Sequence, residues 1–266
     1  MMYSTSWKTA AFTSDMHMQQ EDDARFDARV QDALRNAELR SRPYFVGFLD
    51  MHQAALARAA SDRSGTETRF WGGYDDAERI VLGAFPPGSR PETAAFPVCA
   101  LEISCRPSVE LNHREVLGAL MGLGIERDTV GDILPEPGRC VCFVRREIRG
   151  HITAQLTMVG REGVRVTETD YPVLPPPRPL RPISSTVASP RVDCVVAVLA
   201  RCGRSEAADL IRRGLVMRNG MMCGSVSEQL TEGDILVIRG TGKFVIQALG
   251  PLTKKQRLAL RAGQYT

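Results

Sequence analysis

A proline-rich segment divides the chain. Seven prolines fall between residues 172 and 190, and three of them are consecutive at residues 175–177. Proline has no backbone N–H and fixes its φ angle, so such a segment can neither continue a helix nor join a central strand, and it behaves as a semi-rigid spacer. The sequence therefore predicts a linker over residues 172–189. A chain of 266 residues is long enough for two or three folded units around it.

The positive charge of the chain lies on one side of this linker. Residues 191–266 hold 12 Lys and Arg against 6 Asp and Glu, whereas residues 1–190 hold 22 against 25. Lys and Arg bind polyanions by displacing condensed counterions from phosphates, so the C-terminal quarter is predicted to meet a polyanionic partner. A solvated surface that happens to be basic would explain the same charge.

Simpler features exclude several classes of protein. No apolar run approaches the ~20 residues that span a bilayer, and the N-terminus lacks the layout of a secretory signal, which predicts a cytoplasmic protein without a membrane partner. Seven scattered cysteines favour reduced thiols over a disulfide framework. The chain has no glycine-rich dinucleotide or phosphate loop, no HExxH and no GxSxG motif, so we expect no enzyme activity, no cofactor and no metal.

The first 69 residues are predicted to be helical beyond a short extension. Residues 1–21 show no hydrophobic periodicity and are predicted to be disordered. From residue 22 the apolar residues fall on one helical face as far as Arg42-Pro43, where proline ends the helix. Asp50 and Gln53 form a capping-box pattern that opens a second helix. We interpret residues 22–69 as a small helical unit.

Residues 70–171 show the alternation of an α+β domain. Asn112 caps a predicted helix over residues 113–123, with Glu115 at the capping-box position, and a second helix is predicted over residues 146–159. Short β-type runs surround these helices, at residues 80–82, 98–103, 130–134, 139–144 and 164–168. The β-β-α-β-β-α-β order resembles the ferredoxin-like sandwich, and the fold class predicted for the whole chain is α+β.

Residues 190–250 are predicted to form two helices followed by strands. Ser189-Pro190 is a typical helix start, and an apolar stripe from Val192 to Leu199 follows it. A second helix runs over residues 204–214, and Asn219-Gly220 then predicts a tight hairpin. Strands are expected at residues 235–238 and 244–248. Residues 251–266 are expected to be a basic C-terminal tail.

The second of these helices carries a line of candidate phosphate contacts. Arg204, Ala208 and Arg212 are spaced four residues apart, so they share one flank of the helix. The small alanine would leave room for a sugar-phosphate backbone between two guanidinium groups, whose planar donor forks match phosphate oxygens.

The C-terminal pattern resembles the S4 RNA-binding domain. The resemblance rests on RVD at residues 191–193, RSEAADLIRRGLVMRNG at residues 204–220 and EGD at residues 232–234. This module is shared by a small-subunit ribosomal protein, several pseudouridine synthases and tyrosyl-tRNA synthetases. The resemblance implies a helix pair with adjoining strands that grips folded RNA.

The remaining motifs are similar to those of the YlmH family, in which an S4 domain ends the protein. They are FWGGYDDAER at residues 70–79, LNHREVLGALMGLGI at residues 111–125, GDI at residues 131–133, RGTGKF at residues 239–244 and TKKQR at residues 253–257. The resemblance implies a protein that is a monomer when free and binds rRNA of the large ribosomal subunit, together with peptidyl-tRNA, in the rescue of stalled ribosomes. The family also has an older association with cell division.

The candidate RNA-binding residues follow from the charge and from these resemblances. In the C-terminal part they are Arg191, Arg204, Ser205, Ala208, Arg212, Arg213, Asn219, Arg239, Lys243, Lys254, Lys255 and Arg257. In the middle domain they are His113 and Arg114, with Arg127 as a further candidate.

Two other functions stay open. The chain could be an RNA-modifying enzyme, akin to a pseudouridine synthase, with a site in residues 70–170. Asp193 could be taken for a catalytic aspartate, although a carboxylate at a helix start is better explained by the helix dipole. The chain could also be an adaptor in cell division or photosystem assembly that uses its N-terminal helical unit.

Two residue groups allow more than one interpretation. Cys140 and Cys142 could belong to a metal site, but their spacing differs from that of zinc ligands and favours buried strand cysteines. Phe70, Trp71 and Tyr74 could stack on RNA bases or pin the helical unit onto the middle sheet, and the sequence does not choose between these roles.

Overall fold

The computed structural model describes residues 6–170, 172–177 and 180–265, and only the backbone of residues 6–19. The chain forms two compact units, residues 1–175 and 176–266, and the division falls within the proline-rich segment. The structure is α+β in class. Among the helices that the structure describes, none has a stretch long and apolar enough to cross a membrane.

The first unit contains four helices and nine strands among its described residues. They are α1 (Ser6–Arg40), β1 (Tyr44–Leu49), α2 (Met51–Ser64), β2 (Glu67–Trp71), β3 (Ile80–Phe85), β4 (Val98–Ser104), α3 (His113–Gly122), β5 (Val130–Glu136), β6 (Arg139–Arg145), α4 (Arg149–Gln155), β7 (Met158–Val159), β8 (Glu162–Gly163) and β9 (Arg165–Thr169).

The N-terminal part of this unit is a helix pair on a small sheet. Helices α1 and α2 pack against an antiparallel sheet of order β1-β3-β2, around a core that includes Val30, Leu34, Ala57 and Leu82. The predicted capping box opens α2. The Asp50 side chain accepts a hydrogen bond from the Gln53 amide at 2.9 Å, and the Gln53 side chain accepts one from the Asp50 amide at 3.1 Å.

Two predictions for this part are corrected. Residues 6–21 belong to α1 rather than to a disordered extension, because adding turns to an existing helix costs far less than nucleating one. Residues 1–5 lie outside the described residues. The helical unit predicted over residues 22–69 also contains β1 and β2, which pair with β3. Pairing partners so distant in the chain leave no local pattern.

The rest of the first unit is a ferredoxin-like sandwich. Strands β4, β5, β6 and β9 form an antiparallel sheet of order β5-β6-β4-β9, and α3 and α4 follow β4 and β6 in the chain. This is the arrangement of two interlocked split βαβ units. Three details differ from prediction: β3 pairs in the other sheet, α4 ends at Gln155, and the short β7–β8 hairpin stands where the helix was expected to continue.

An aromatic layer joins the two sheets of this unit. Phe143 and Val141 from β6 pack against Phe48 from β1 and Val81 from β3. The ring of Tyr74 stacks on Phe143 with centroids 5.0 Å apart. Trp71 packs against the same cluster, and Phe70 packs against the core beneath α1 and α2. The aromatic run at residues 70–74 therefore serves packing.

A buried carboxylate fixes the loop between β2 and β3. Asp132, only 8% exposed, accepts hydrogen bonds from the Tyr74 hydroxyl at 2.8 Å and from the backbone amides of Glu78 and Arg79 at 2.7 and 3.0 Å. The Arg79 guanidinium in turn donates to the carbonyls of Val130 at 3.0 Å and Phe48 at 2.7 Å. This network, which we call the Asp132 cluster, ties β1, β5 and the connecting loop together.

The second unit packs two helices against a six-stranded sheet. Its elements are β10 (Arg181–Val187), α5 (Val192–Leu199), α6 (Arg204–Arg212), β11 (Val216–Arg218), β12 (Met221–Met222), β13 (Ile235–Ile238), β14 (Gly242–Leu252) and β15 (Leu258–Gln264). The sheet order is β10-β15-β14-β13-β11-β12. Asn219 and Gly220, at φ 50° and 85°, form the predicted two-residue turn between β11 and β12.

Three boundaries of this unit differ from the sequence-based expectation. The predicted linker contains β10, whose Pro182 is tolerated because β10 is an edge strand. The predicted tail contains β15, an interior strand between β10 and β14. Helix α5 begins at Val192 rather than at Ser189, because a bridge to Gln229 keeps Arg191 extended.

The Asp132 cluster predicts a graded loss of stability. Asp132→Ala should lower the free energy of unfolding of the first unit by about 3 kcal/mol, since three buried donors are left without their acceptor. Tyr74→Phe keeps the ring stack, removes one hydrogen bond and should cost about 1 kcal/mol. Hydrogen exchange of amides in β3 and β5 measures both losses of stability.

Asp128→Ala, which removes a partly exposed ion pair with Arg29, is the control and should cost less than about 1 kcal/mol. Equal destabilisation by Asp132→Ala and Tyr74→Phe would contradict a role for Asp132 beyond its contact with the tyrosine.

Candidate nucleic-acid interface

A buried aspartate connects α5 to α6. Asp193 lies in the first turn of α5 and is 4% exposed. Arg191 donates to its two carboxylate oxygens from Nε and Nη2, both at 3.1 Å, and Arg204 at the start of α6 donates from Nε at 2.9 Å. Burial alone would raise the pKa of Asp193, but the hydrogen bonds from Arg191 and Arg204 hold it below its usual value.

This arrangement brings together two of the predicted RNA-binding arginines. The Arg204 side chain is 56% exposed and the Arg191 side chain 32% exposed. Within the described residues Arg204 uses only its Nε donor, which leaves the donors of its two terminal nitrogens unused in a side chain that is more than half exposed. A guanidinium held at one nitrogen loses less conformational freedom when it binds a phosphate.

The exposed flank of α6 carries further predicted residues. Arg212 is exposed and pairs with Asp209 at 2.8 Å, while Ser205 and Arg213 are also exposed. Ala208 corrects the sequence interpretation. It is 9% exposed and shares the buried face of α6 with Ala207 and Ile211, so it does not form an open gap between two guanidinium groups. The four-residue spacing from Arg204 and Arg212 does not show whether Ala208 lies on the exposed flank of α6 or at the edge of its apolar face.

Asn219, predicted from the sequence as an RNA contact, has a structural role. Its Nδ2 donates to Asp234 at 2.7 Å and its Oδ1 accepts from the Ile235 amide at 2.8 Å. Asp234 is 4% exposed and also binds Arg218 at 2.8 Å and the Thr231 amide at 2.7 Å. These contacts hold its pKa below the usual value against the effect of burial. Arg218 and Asp234 were not singled out from the sequence, although the EGD motif includes Asp234.

The remaining C-terminal candidates occupy turns and strand ends. Arg239 is exposed beside the turn between β13 and β14, and the Lys243 ammonium lies 4.4 Å from the centre of the Tyr265 ring. Lys254 and Lys255 are exposed in the turn between β14 and β15. Arg257 donates to the Thr186 hydroxyl at 3.0 Å and to its carbonyl at 2.8 Å, which anchors that turn to β10. Lys254 and Lys255 are thus carried on a fixed turn rather than on a free tail.

The candidates of the middle domain also include both exposed side chains and a side chain that is used in packing. His113 is half-buried at the start of α3, and Arg114 is exposed beside it. Arg127 instead donates to the carbonyl of Val130, and burial lowers its pKa, which makes it part of the packing around Arg79. Burial lowers the pKa of the Arg79 guanidinium to about 10. Arg79 is part of the motif at residues 70–79, but the sequence did not indicate a role for its side chain.

The cysteines of the middle sheet are buried. Cys140 and Cys142 lie in the core between the sheet and α3, and burial raises the pKa of Cys140 to about 12. The pKa of Cys142 is raised by the same cause. Within the described residues no group of three His, Cys, Asp or Glu side chains is placed to hold a metal ion.

Comparison with known proteins identifies relatives. Residues 91–172 match a family model described as "Putative RNA-binding domain in YlmH". The chain is 32% identical over 218 residues to ribosome-associated protein quality control protein P2 of Bacillus subtilis, covering 81% of this chain and 85% of the relative. A solved structure of the cell division protein ylmH from Streptococcus pneumoniae aligns with 25% identity and a TM-score of 0.49, over 56% of this chain and 91% of that one.

The lowered pKa values of Asp193 and Asp234 predict a one-sided pH dependence. Folding favours the ionised carboxylates, so their stabilisation is complete above the unfolded pKa of about 3.9 and is lost as pH falls through the lower folded values. These two groups should therefore make a constant contribution to the free energy of unfolding of the second unit above about pH 5. That contribution should decrease at lower pH. Asp193→Asn should reduce the acid-side slope, measured by hydrogen exchange of α5 and β13 amides across the acid range. An unchanged slope in this variant would rule out Asp193 as a source of the acid sensitivity.

Proposed function

The chain belongs to the YlmH family, and from that membership we propose that it is a non-catalytic RNA-binding protein that acts on the ribosome. The observation that carries the proposal is the pair of guanidinium groups, from Arg191 and Arg204, oriented by the buried carboxylate of Asp193. The proposed target is rRNA of the large ribosomal subunit, together with peptidyl-tRNA, during rescue of stalled ribosomes.

The surface of the second unit suits a folded polyanion. We define the α5–α6 surface as Arg191, Arg204, Ser205, Arg212 and Arg213. An arginine presents up to five donors in a plane and binds phosphate oxygens in pairs. Arg204 and Arg212 are two helical turns apart, about 12 Å along α6, which is a span suited to phosphates about two nucleotides apart on one backbone. The S4-type resemblance, with helix pair and adjoining strands, supports RNA rather than another polyanion as the ligand.

The middle domain is proposed to hold a second RNA segment. It coincides with the part of the chain that matches the family's RNA-binding model, residues 91–172. Arg114, exposed in the first turn of α3, is its candidate contact. We propose that this segment is tRNA or a neighbouring rRNA helix, and that the second unit supplies the anchor.

A non-catalytic role agrees with the state of Asp193. Its two oxygens accept hydrogen bonds from two guanidinium groups and it is almost fully buried, so it lacks the free, substrate-facing lone pairs that a general base or nucleophile needs. The relative in Bacillus subtilis is named for ribosome-associated protein quality control, and we extend that role to this chain.

Removal of the α5–α6 arginines should weaken ribosome binding. The double variant Arg204→Ala/Arg212→Ala should reduce co-sedimentation with large ribosomal subunits, because two phosphates are no longer neutralised. The slope of log K against log salt should become shallower by roughly one unit for each of those phosphates. A second double variant, Arg212→Ala/Arg213→Ala, leaves the Asp193 hydrogen bonds intact and should show the same effect on the slope.

Arg35→Ala is a matched control for this experiment. Arg35 pairs with Asp32 three residues earlier on an exposed helix face, as Arg212 pairs with Asp209, and the two arginines are 69% and 65% exposed. Arg35→Ala removes the same kind of ion pair from the first unit. Co-sedimentation that is equal for the wild type and both double variants would refute the proposed anchor.

A further inference from the structure

A second basic feature lies at the other end of α5. A half-open cleft of about 400 Å³ is formed where the last turn of α5 meets the start of β10, the turn before β14 and the end of β15. Its polar lining comes from Arg181, Arg201, Ser184, Thr241 and Gln264, and no acidic side chain lines it. A volume of this size accommodates a nucleotide.

The two arginines of the cleft differ from the three arginines of the α5–α6 surface that lie in ion pairs. Both are exposed, and within the described part of the chain neither Arg181 nor Arg201 forms an ion pair or a side-chain hydrogen bond. By contrast, Arg191, Arg204 and Arg212 each pair with an aspartate. Two unneutralised guanidinium groups beside hydroxyl and amide groups make the cleft a site for a phosphate-bearing ligand.

The backbone at Arg201 supports a functional role for its side chain. Arg201 has φ 54° and occupies the left-handed position that ends α5, where its amide donates to the Val198 carbonyl and the Cys202 amide donates to the Ala197 carbonyl. Glycine is the usual residue in this motif, because a side chain there is strained. The motif also satisfies the Ala197 and Val198 carbonyls at the end of α5, where the Arg201 side chain lines the cleft.

The cleft is linked to the proposed RNA-binding surface by the segment that joins α5 to α6. Arg201 precedes Arg204 by three residues in the segment that joins α5 to α6. On the other side, Arg181 pairs in register with Gln264, so both lie at the same end of the sheet. A strand that leaves the α5–α6 surface along this segment would meet Arg201 first and Arg181 next.

We propose that this cleft binds the phosphate of an unpaired nucleotide in the RNA whose folded part lies on the α5–α6 surface. The inference rests on the proposed RNA binding and adds a single-stranded subsite to it. The cleft is about half open to solvent, which suits a continuous strand better than a free nucleotide, since small-molecule sites bury most of their ligand.

The test compares two RNA probes on the full chain. One is a fluorescein-labelled RNA hairpin with a short oligouridine extension, prepared with the extension at either end, and the other is the same hairpin with blunt ends. Arg181→Ala/Arg201→Gly should weaken binding of an extended hairpin roughly tenfold and leave the blunt hairpin unchanged. The salt slope for the extended probe should become shallower by roughly 0.7 for each phosphate that the variant no longer neutralises.

The choice of glycine separates binding from folding. Because glycine suits the left-handed position, Arg201→Gly alone should keep or raise the melting temperature while lowering affinity for the extended hairpin. Replacement of a merely structural arginine would not lower affinity while the melting temperature is kept or raised. Arg40→Ala/Arg90→Ala removes two exposed arginines of the first unit and is the control for net charge.

Each remaining outcome overturns the inference in a distinct way. Unchanged affinity of the double variant for the extended hairpins would mean that the cleft does not bind the strand. Equal weakening on blunt and extended hairpins would assign the two arginines to the folded RNA instead. Competition by free uridine monophosphate at the same concentrations would indicate a free nucleotide as ligand. If the wild type bound neither probe, the proposed RNA binding itself would fail.

Discussion

The Asp132 carboxylate is the constraint on which the first unit depends. It lies between two sheets whose strands are far apart in sequence, and its three donors come from the loop that connects β2 to β3. A buried carboxylate is costly unless its oxygens are satisfied, so the loop can adopt few other arrangements. Once the loop is fixed, Tyr74 lies on Phe143 and Arg79 reaches the backbone of β1 and β5. The packing of the sandwich against the N-terminal layer follows from this.

The second unit uses the same device twice, with a different consequence. Asp193 and Asp234 are buried carboxylates that orient arginines, and in both cases hydrogen bonds outweigh the effect of burial on the pKa. Near Asp132, the Arg79 guanidinium donates its hydrogen bonds to backbone carbonyls. Around Asp193 the Arg204 side chain remains more than half exposed, so the buried charge holds a largely exposed guanidinium instead of closing a core. Arg79 and Arg204 therefore differ in how many of their donors the fold uses.

The sequence predicts local features correctly where the interacting groups are close in the chain. The capping boxes at Asp50 and Asn112 and the Asn219-Gly220 turn depend on contacts within a few residues, and the structure contains all three. The sequence does not predict strands β1 and β10, because each pairs with a strand far along the chain. Strand β15 also pairs with β10, although its other partner, β14, is its neighbour in the chain. The proline rule was sound but incomplete, because an edge strand tolerates a residue that a central strand excludes.

The sequence by itself determined the α+β class, a division within the proline-rich segment and a helix pair that carries arginines, since these follow from composition, periodicity and local hydrogen bonding. Only the tertiary structure decided which of the candidate side chains are covered or already hydrogen-bonded. Asn219 and Arg127 are used by neighbouring backbone groups, Ala208 is covered, and Arg204 is held with donors to spare. Whether a polar side chain is free depends on groups brought close by folding, and sequence spacing along one element does not contain that information.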